Sequence, residues 1–292
     1  MPSVAPLARV VLITGSSTGF GRNLVDAVLA RGDIAVATLR KPEVLQDLAT
    51  QFGKDRLLVL PLDVTDKGQV TSVFDAVKTA YGRLDVVVNN AGIAYTNEIE
   101  GTTDADIRRL FDTNVFAPFE IIKQAVAFMR DVNSPSGTGG AIINISSNSG
   151  IRAIPVLGAY SASKFALEGI TEAFVNELDP AWNISLHLIE PGAFRTNISA
   201  NAAQPPPHPA YSSPHLPTNL VRAKLAASTG AKGDPAKAAR AILDVLDLPR
   251  EERPKRLALG EDGYALVVLK ARELLEGAEK WKDVSLSVNF DE

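Results

Sequence analysis

Short apolar runs that alternate with longer helical patterns are the feature that most constrains how this chain folds. The runs that we interpret as strands are apolar throughout and cover residues 10–14, 34–39, 56–62, 84–89, 141–146 and 184–189. Strands without polar alternation are typical of sheets that are covered on both faces. Because strands and helices alternate through short connections, we expect right-handed βαβ units and a parallel sheet. The sequence predicts a single doubly wound α/β domain of Rossmann type, with helices on both faces of about seven parallel strands.

Helical periodicity fills the segments between these runs. Phe20, Leu24 and Val28 fall on one stripe of a helix that is predicted over residues 19–31. Further helices are predicted from the second strand to residue 52, and over residues 66–81, 103–130 and 262–280. No linker divides the pattern, so residues 1–292 are predicted as one domain, with a C-terminal helix and tail over 261–292.

One segment, SANAAQPPPHPAYSSPHLPTN at residues 199–219, breaks the pattern. Proline cannot donate to a strand ladder and blocks a helix interior, so this segment is predicted as a loop or a lid. In an α/β fold, a long loop after a late strand lies near the ligand crevice. We therefore expect residues 194–233 to form a substrate-covering loop region, with a plain surface insertion as the alternative.

A glycine cluster follows the first strand directly. The strand runs into TGSSTGFG at residues 14–21 and then into the first helix. Its glycines do not have the G-x-G-x-x-G spacing, but the segment has the same structural features. These are a tight turn, free backbone amides and a helix N-terminus that points at a pyrophosphate. The predicted cofactor-binding residues of this turn are Gly15, Ser17, Thr18, Gly19, Phe20 and Gly21.

The end of the second strand bears on the choice between NAD and NADP. An acidic residue that binds the ribose of NAD is expected there. The sequence reads Thr38-Leu39-Arg40-Lys41 instead, with no acid. Because a guanidinium matches phosphate geometry, Arg40 is a candidate partner of a 2′-phosphate, assisted by Ser17 and Arg22. The sequence thus favours NADP(H) over NAD(H).

Tyr160 and Lys164 stand four residues apart in AYSASKFALEG, at the start of a predicted helix. Residues at this spacing are neighbours on a helix surface. A cation beside a phenol stabilises the phenolate and lowers the tyrosine pKa, so the pair is a candidate proton-transfer device. A solvated surface pair is the alternative.

Composition excludes several classes of partner and site. The net charge of −4 offers no polycationic surface, so nucleic acid and anionic membranes are not expected partners. With no cysteine, disulfides and Cys-ligated metals are excluded, which fits a cytoplasmic protein. The N-terminus does not read as a secretory signal, and no apolar run reaches the ~18 residues of a membrane helix. His208 and His215 lack a metal-ligand pattern and His187 reads as a core or edge residue, so no catalytic metal is predicted.

Several motifs together resemble the short-chain dehydrogenase/reductase family over about residues 8–197. These motifs are TGSSTGFG, Asn89-Asn90-Ala91-Gly92, Asn114, Ser147, Tyr160-x-x-x-Lys164 and Pro191-Gly192. GFGRNLVDAVLARGD, ATLR and KRLALGEDG are similar to a steroid- and retinol-dehydrogenase-like subgroup. One departure is Phe20, since most members carry an aliphatic residue there.

The resemblance implies a role for each matching residue. Tyr160 would be the general acid/base, and Lys164 would lower its pKa and bind the nicotinamide ribose. Ser147 would hydrogen-bond the substrate oxygen, and Asn114 would hold a backbone carbonyl and a water of a proton relay. The remaining positions would contact the cofactor: Asp63 and Val64 the adenine, Asn90, Ala91 and Gly92 the adenosine side, and Pro191, Gly192 and Thr196 the nicotinamide.

The expected function is an NAD(P)-dependent oxidoreductase that interconverts a secondary alcohol and a ketone or aldehyde. Its substrate pocket would be fairly apolar, formed by residues 148–157, Phe194 and the 199–219 loop. The resemblance also implies a homodimer or homotetramer. Two alternatives stay open: a nucleotide-binding sensor or scaffold without turnover, and an epimerase that reuses the Tyr/Lys pair.

Overall fold

Seven parallel strands form one sheet in the order β3-β2-β1-β4-β5-β6-β7. The structure, a computed structural model, describes residues 7–133, 137–227 and 231–290. The strands are β1 (Val10–Thr14), β2 (Ile34–Leu39), β3 (Leu57–Pro61), β4 (Val86–Asn89), β5 (Gly140–Ile145), β6 (Ile184–Pro191) and β7 (Arg256–Leu259). The chain returns past β1 to begin β4, so the strand order reverses between these two neighbours. Ligands of such sheets bind outside the carboxyl ends of the strands at this reversal.

Helices cover both faces of the sheet. Their bounds are α1 (Gly19–Ala30), α2 (Gln46–Phe52), α3 (Lys67–Tyr81), α4 (Asp104–Phe111), α5 (Ala117–Phe128), α6 (Gly158–Glu177), α7 (Pro217–Ala227), α8 (Pro235–Asp244), α9 (Glu261–Lys280) and α10 (Lys282–Leu286). One apolar cluster packs the sheet against α1 and α8, with Leu24 and Ile242 buried in it. The other packs the opposite face against α3 and α5, with Val73 and Ile121 buried. The predicted doubly wound parallel fold is confirmed.

Sequence-local capping explains where several helices begin. Asp66 accepts hydrogen bonds from the amides of Gly68 and Gln69 at the start of α3, and Asp234 does the same at the start of α8. Such caps satisfy amides that have no partner within the helix. α1 differs, because Thr18 at its start makes no side-chain cap. The first amides of α1 therefore have no side-chain acceptor.

The long helix predicted over residues 103–130 is interrupted. Between α4 and α5 the chain makes a π-helical turn, Asp112–Phe116, with Asn114 buried inside it. A single π turn within α-helix often occurs at functional sites, since it redirects one side chain without breaking the helix.

The Pro-rich segment (residues 194–233) is more ordered than a loop. It contains a 3-10 turn, Pro209–Tyr211, and the helix α7, which begins at Pro217. Proline is compatible with the first turn of a helix because the amide that it lacks would be unpaired there anyway. The base of the segment is closed by a bridge in which Arg195 donates to the Gly233 carbonyl at 3.1 Å.

The C-terminal part ends the described chain with α9 and α10. α9 begins beside the end of β7 and carries several exposed apolar side chains, among them Leu274 and Leu275. None of the helices in the described ranges combines the length and the apolar character that a membrane-spanning helix requires.

Candidate active site

Tyr160 and Lys164 lie one turn apart at the N-terminal end of α6, and both side chains are buried. Lys164 Nζ lies 5.8 Å from the centroid of the Tyr160 ring. The same ammonium donates to the carbonyl oxygen of Ile145 at 2.9 Å, at the carboxyl end of β5. The pair is therefore fixed between the start of a helix and the end of a central strand.

The walls around Tyr160 are apolar. Tyr160 belongs to a buried cluster with Tyr95, Leu110 and Ala159, and Ala203 of the Pro-rich segment packs against this cluster. In the same place, Ala203 accepts a hydrogen bond from the Thr96 amide at 3.0 Å. The Pro-rich segment thus contacts the surroundings of Tyr160 directly.

Burial controls the protonation of the pair. It raises the pKa of Tyr160 to about 12, and a side-chain hydrogen bond with Ser147 opposes that shift. It also lowers the pKa of Lys164 to about 8, against the attraction of Glu168. The sequence led us to expect a lowered tyrosine pKa, but the structure shows the opposite. The phenolate loses more by desolvation than it gains from an ammonium that points at Ile145.

Ser147 follows β5 and caps a short 3-10 turn, Asn148–Gly150. Its Oγ accepts from the Ser149 amide at 3.1 Å and donates to Asn148 Oδ1 at 3.2 Å. These two contacts orient the hydroxyl, and Ser147 is close enough to Tyr160 to oppose the rise in the pKa of that phenol.

Asn114 connects three elements through the π turn. Its Oδ1 accepts from the Ile93 amide at 2.9 Å, and its Nδ2 donates to the Ile93 carbonyl at 2.9 Å. The same Nδ2 donates to Ser163 Oγ on α6 at 3.1 Å. A Cβ placed on Gly92 would lie 3.3 Å from Asn114 Oδ1 and 3.7 Å from Lys164 Nζ. Asn114, Gly92 and Lys164 therefore line the same small space.

The glycine turn is closely packed against the loop after β4. Gly15 has φ +68°, and a Cβ on it would lie 2.9 Å from Ala91 Cα. A Cβ on Gly21 would overlap the Gly15 carbonyl oxygen. Asn90 Nδ2 donates to the carbonyls of Thr14 and Gly15, so the Asn90 side chain shapes the turn itself. Larger residues would push the turn apart.

The groups around this turn fit a dinucleotide. Thr18 does not cap α1, and no other described side chain accepts from its first amides, which suits a pyrophosphate at this helix N-terminus. Arg40 is exposed at the end of β2, and within the described residues it has no hydrogen-bond or ion-pair partner. Arg22 is less free, because it pairs with Asp26 on α1 at 3.1 Å.

Asp63 and Val64 lie just after β3, beyond the end of β2. Asp63 Oδ1 accepts from both the amide and the hydroxyl of Thr65, at 3.0 and 2.7 Å. Val64 packs against the apolar cluster on the face of the sheet that α3 and α5 cover. Both residues are half-buried just beyond the carboxyl end of β3.

The loop after β6 completes the rim. Pro191 ends β6, and the Ala193 amide donates to Asp262 Oδ2 at 2.7 Å. A Cβ on Gly19 would lie 3.3 Å from Thr196 Cβ, so this loop lies over the glycine turn. The rings of Phe20 and Phe194 pack at 5.1 Å, which gives the unusual aromatic of the turn a packing role. Gly192 leaves room for the Asp262 carboxylate, which a Cβ would overlap.

Two sets of residues near the site were not predicted. Asp262 at the start of α9 has its partner 69 positions earlier. Arg222 on α7 donates from Nη2 to Glu98 Oε2 at 2.7 Å and to Asn97 Oδ1 at 2.9 Å. Both contacts join positions far apart in sequence, and no local motif marks them.

Asn97 connects its contact with Arg222 to the segment that precedes Tyr160. Its amide donates to the Val156 carbonyl at 2.8 Å, four residues before the phenol. Val156 has φ +61°, a region that β-branched residues avoid. Strain of this kind persists only where the surroundings hold it, and it often occurs near functional sites.

An open cavity of about 430 Å³ lies outside this cluster. It is lined by Thr96, Gln204, Pro205, Pro206, Pro207, Arg222, Ala223, Leu225 and Ala226. Its members come from the Pro-rich segment and from the loop after β4. Gln204, which lines the cavity, directly follows Ala203, and Ala203 contacts the Tyr160 cluster.

Comparison with known proteins gives the family. The family model described as short chain dehydrogenase matches residues 9–206. An oxidoreductase of Schizosaccharomyces pombe is 35% identical over 283 residues, covering 97% of this chain and 92% of that protein. L-2,3-butanediol dehydrogenase of Corynebacterium glutamicum is 34% identical over 197 residues, covering 66% of this chain and 74% of that protein. The crystal structure of a short-chain dehydrogenase from Streptomyces avermitilis superimposes with a TM-score of 0.87 at 36% identity, over 98% of this chain and 100% of that one. The match of the family model, the full-length relatives and the shared fold agree, and the chain belongs to the short-chain dehydrogenase/reductase family of oxidoreductases.

Proposed function

We propose that this protein is an NADP-preferring oxidoreductase that interconverts a secondary alcohol and a ketone or aldehyde, with Tyr160 as the general acid/base. The observation that carries the proposal is the common space of Tyr160, Lys164 and Asn114 beside Gly92, on the loop that packs against the glycine turn. A proton-transfer group and a dinucleotide-binding turn at the same sheet edge fit coupled proton and hydride transfer. The relative named for L-2,3-butanediol supports an alcohol substrate.

Tyr160 would serve as the proton donor in carbonyl reduction. With a pKa of about 12 the phenol is protonated at neutral pH, so it can donate to a substrate oxygen. The Ser147 hydroxyl lies beside it and would give that oxygen a second hydrogen bond as negative charge develops. The dinucleotide, when bound, supplies or accepts the hydride. Reduction is therefore the direction to test first.

Lys164 would balance the charge that proton donation leaves on Tyr160. Its ammonium lies 5.8 Å from the centroid of the phenol ring, and an adjacent cation stabilises a phenolate. With a pKa of about 8, the ammonium is charged at neutral pH and neutral in alkali. Asn114 holds the loop after β4 against α6 and so keeps Gly92 beside the ammonium.

The same proposal assigns the cofactor-binding residues. The amides of the glycine turn and of α1 would hold the pyrophosphate, and Lys164 would bind ribose hydroxyls. Arg40 would pair with the 2′-phosphate of NADP, since it is exposed and has no partner in the described part of the chain. The further residues that we assign to cofactor binding are Gly15, Ser17, Thr18, Gly19, Phe20, Gly21, Asp63, Val64, Asn90, Ala91, Gly92, Pro191, Gly192 and Thr196.

The substrate would be a carbonyl compound with an apolar, uncharged distal part. The cavity of about 430 Å³ beyond Ala203 is the candidate site for that part. Pro205, Pro206 and Pro207 line it without any backbone N–H to offer. Its one lining cation, Arg222, is neutralised by Glu98, so an anionic group gains little there.

Kinetics with NADPH and a panel of ketones test this function. We expect NADPH oxidation with apolar ketones, and a rate at least ~100-fold lower for Tyr160→Phe with NADPH affinity unchanged. Tyr81→Phe is the control, because it removes a hydroxyl at the end of α3 that donates to the Lys54 carbonyl at 3.0 Å, outside the proposed site. NADPH binding without turnover of any carbonyl would favour a sensor, and an active Tyr160→Phe would refute the mechanism.

The cytoplasmic location, the homo-oligomer and the steroid/retinol-like subgroup stay predictions.

A further inference from the structure

A second charged cluster lies behind the active site, where the end of β6, the start of β7 and the middle of α6 meet. Arg256 Nη1 donates to Glu168 Oε2 at 2.8 Å and to Glu190 Oε1 at 2.6 Å. Glu168 and Glu190 are both buried, whereas Glu172, which meets the same guanidinium at 3.1 Å, is exposed. One arginine thus faces two buried carboxyl groups.

Glu168 is the member of this cluster nearest the proposed chemistry. Tyr160, Lys164 and Glu168 follow one another at intervals of four residues, so they share one face of α6. Glu168 Oε1 also accepts from Ser146 Oγ at 2.6 Å, and Ser146 directly precedes Ser147. A Cβ on Gly150 would overlap the same carboxylate, so the turn after Ser147 is shaped around it.

Lys164 needs a charge partner in this position. Its side chain is buried, and the contact that its ammonium makes is a neutral carbonyl, that of Ile145. From the described residues of the loop after β4 and the π turn, Gly92 and the neutral amide of Asn114 line the same space as the ammonium. The other charged or titratable groups near it are Tyr160 and Glu168 on its own helix, then Glu172, Arg256 and Glu190 behind Glu168. Glu168 is thus the first carboxylate along the helix from the ammonium.

We propose that Glu168 is a positioning residue for the proposed reaction: its carboxylate keeps Lys164 charged, and its contacts with Ser146 and Gly150 hold the strand end that carries Ser147. The inference rests on the proposed function for its catalytic meaning. Its electrostatic part concerns Lys164 alone and is independent of turnover. Burial raises the pKa of Glu168, and the hydrogen bond from Ser146 and the Arg256 guanidinium oppose that rise, so both favour the carboxylate form.

The consequence is a defined pH dependence. The attraction of Glu168 opposes the burial that lowers the pKa of Lys164 to about 8. Without that carboxylate, Lys164 would lose its proton at a lower pH, by about one unit for the loss of one neighbouring opposite charge. The steps that need the ammonium are the binding of ribose hydroxyls and the stabilisation of the phenolate. As the pH rises, both would then be lost at a lower pH than in the wild type.

The test compares NADPH affinity and the rate of ketone reduction from pH 6 to 10 in variants that separate charge from shape. Glu168→Gln keeps the shape and loses the charge, Glu168→Asp keeps the charge and loses a methylene, and Glu168→Ala loses both. Glu172→Gln is the matched control, because it removes an exposed carboxylate from the same arginine. We expect the alkaline limb of both profiles to move about one pH unit lower in the Gln and Ala variants. We expect it to stay in place in the Asp variant and in the control.

The outcomes decide between charge and packing. The proposal would be overturned if the alkaline limb of Glu168→Gln stayed at the wild-type pH. It would also be overturned if the limb of Glu168→Asp moved as far as that of Glu168→Gln. Either variant alone suffices if another does not fold. A wild-type NADPH affinity that is flat across this range would also contradict it. Turnover of no ketone, with the predicted shifts in NADPH affinity intact, would refute the proposed reaction and leave the role of Glu168 standing.

Discussion

The guanidinium of Arg222 and the carboxylate of Glu98 meet at 2.7 Å across 124 positions of the sequence. The Glu98 side chain is 1% exposed and that of Arg222 is 15% exposed, so the ion pair is largely removed from water. Burial by itself raises the pKa of Glu98, but hydrogen bonds from Arg222 and the His208 amide outweigh it and lower that pKa overall. The pair fastens α7 to the loop after β4.

Breaking this pair should loosen the Pro-rich segment. Arg222→Leu leaves a buried carboxylate unpaired, which costs about 3 kcal/mol or more of unfolding free energy. Because Arg222 also holds Asn97, which supports Val156, we expect KM for ketones to rise more than kcat falls. Chemical denaturation and steady-state kinetics measure both effects. Lys224→Leu, an exposed change on the same helix, is the control, and equal behaviour of the two variants would contradict the prediction.

Gly19 should be required for cofactor affinity rather than for folding alone. Its φ of +58° disfavours any side chain, and a Cβ would lie 3.3 Å from Thr196 Cβ. We expect Gly19→Ala to weaken NADPH binding about tenfold or more, since α1 and Thr196 must shift apart. Gly32→Ala has a comparable φ of +86° in open space and is the matched control. It should lower stability by about 1 kcal/mol and leave NADPH binding unchanged, as titration by fluorescence would show.

Arg40 should set the preference between the two nicotinamide cofactors. Removing a charged hydrogen-bond partner of a phosphate costs about 1.5–3 kcal/mol, so Arg40→Ala should lower the NADPH-to-NADH affinity ratio at least tenfold. The affinity for NADH itself should hardly change. Lys41→Ala, the next exposed basic residue, is expected to have a smaller effect. An unchanged ratio in Arg40→Ala would refute the assignment of the 2′-phosphate to this residue.

Glu190 should make stability depend on pH near neutrality. Burial and the neighbouring Glu168 raise the pKa of Glu190 to about 7, against the attraction of Arg256. A carboxyl whose pKa is raised by folding stabilises the protein most below its unfolded pKa of about 4.3, and that contribution is lost as the pH rises through about 7. Glu190→Gln resembles the protonated form. We expect its melting temperature to fall less than that of the wild type between pH 5 and 8, and parallel curves would contradict this.

The parallel sheet could be predicted from the sequence because its central strands are buried on both faces and hence apolar throughout. The run at residues 84–89 gave β4 within two residues of its observed start, Val86. β7 was not placed, because this edge strand is short, begins with Arg256 and is only partly buried. The π turn at Asn114 was missed since it does not interrupt the apolar periodicity. α7 was missed because prolines precede it.

Within the site, the sequence identified residues that belong to short motifs and failed on pairs that only the fold brings together. Tyr160 and Lys164 are separated by one helical turn, so periodicity alone predicts their proximity. Glu98 and Arg222, or Arg256 and Glu168, have no local signal. The direction of the Tyr160 pKa shift was also out of reach, because it depends on how deeply the phenol is buried, and burial is a property of the whole fold.

The bridge at the base of the Pro-rich segment has a consequence for how such enzymes diversify. Arg195 donates to the Gly233 carbonyl and Gly233 donates to the Ala193 carbonyl, each at 3.1 Å, so the two ends of the excursion are clamped side by side. The sequence between these ends nevertheless contacts the loop after β4, through Ala203 on Thr96 and through Arg222 on Glu98. Changes in the excursion can therefore alter selectivity without moving the clamped ends, provided that its partners Thr96, Asn97 and Glu98 change with it.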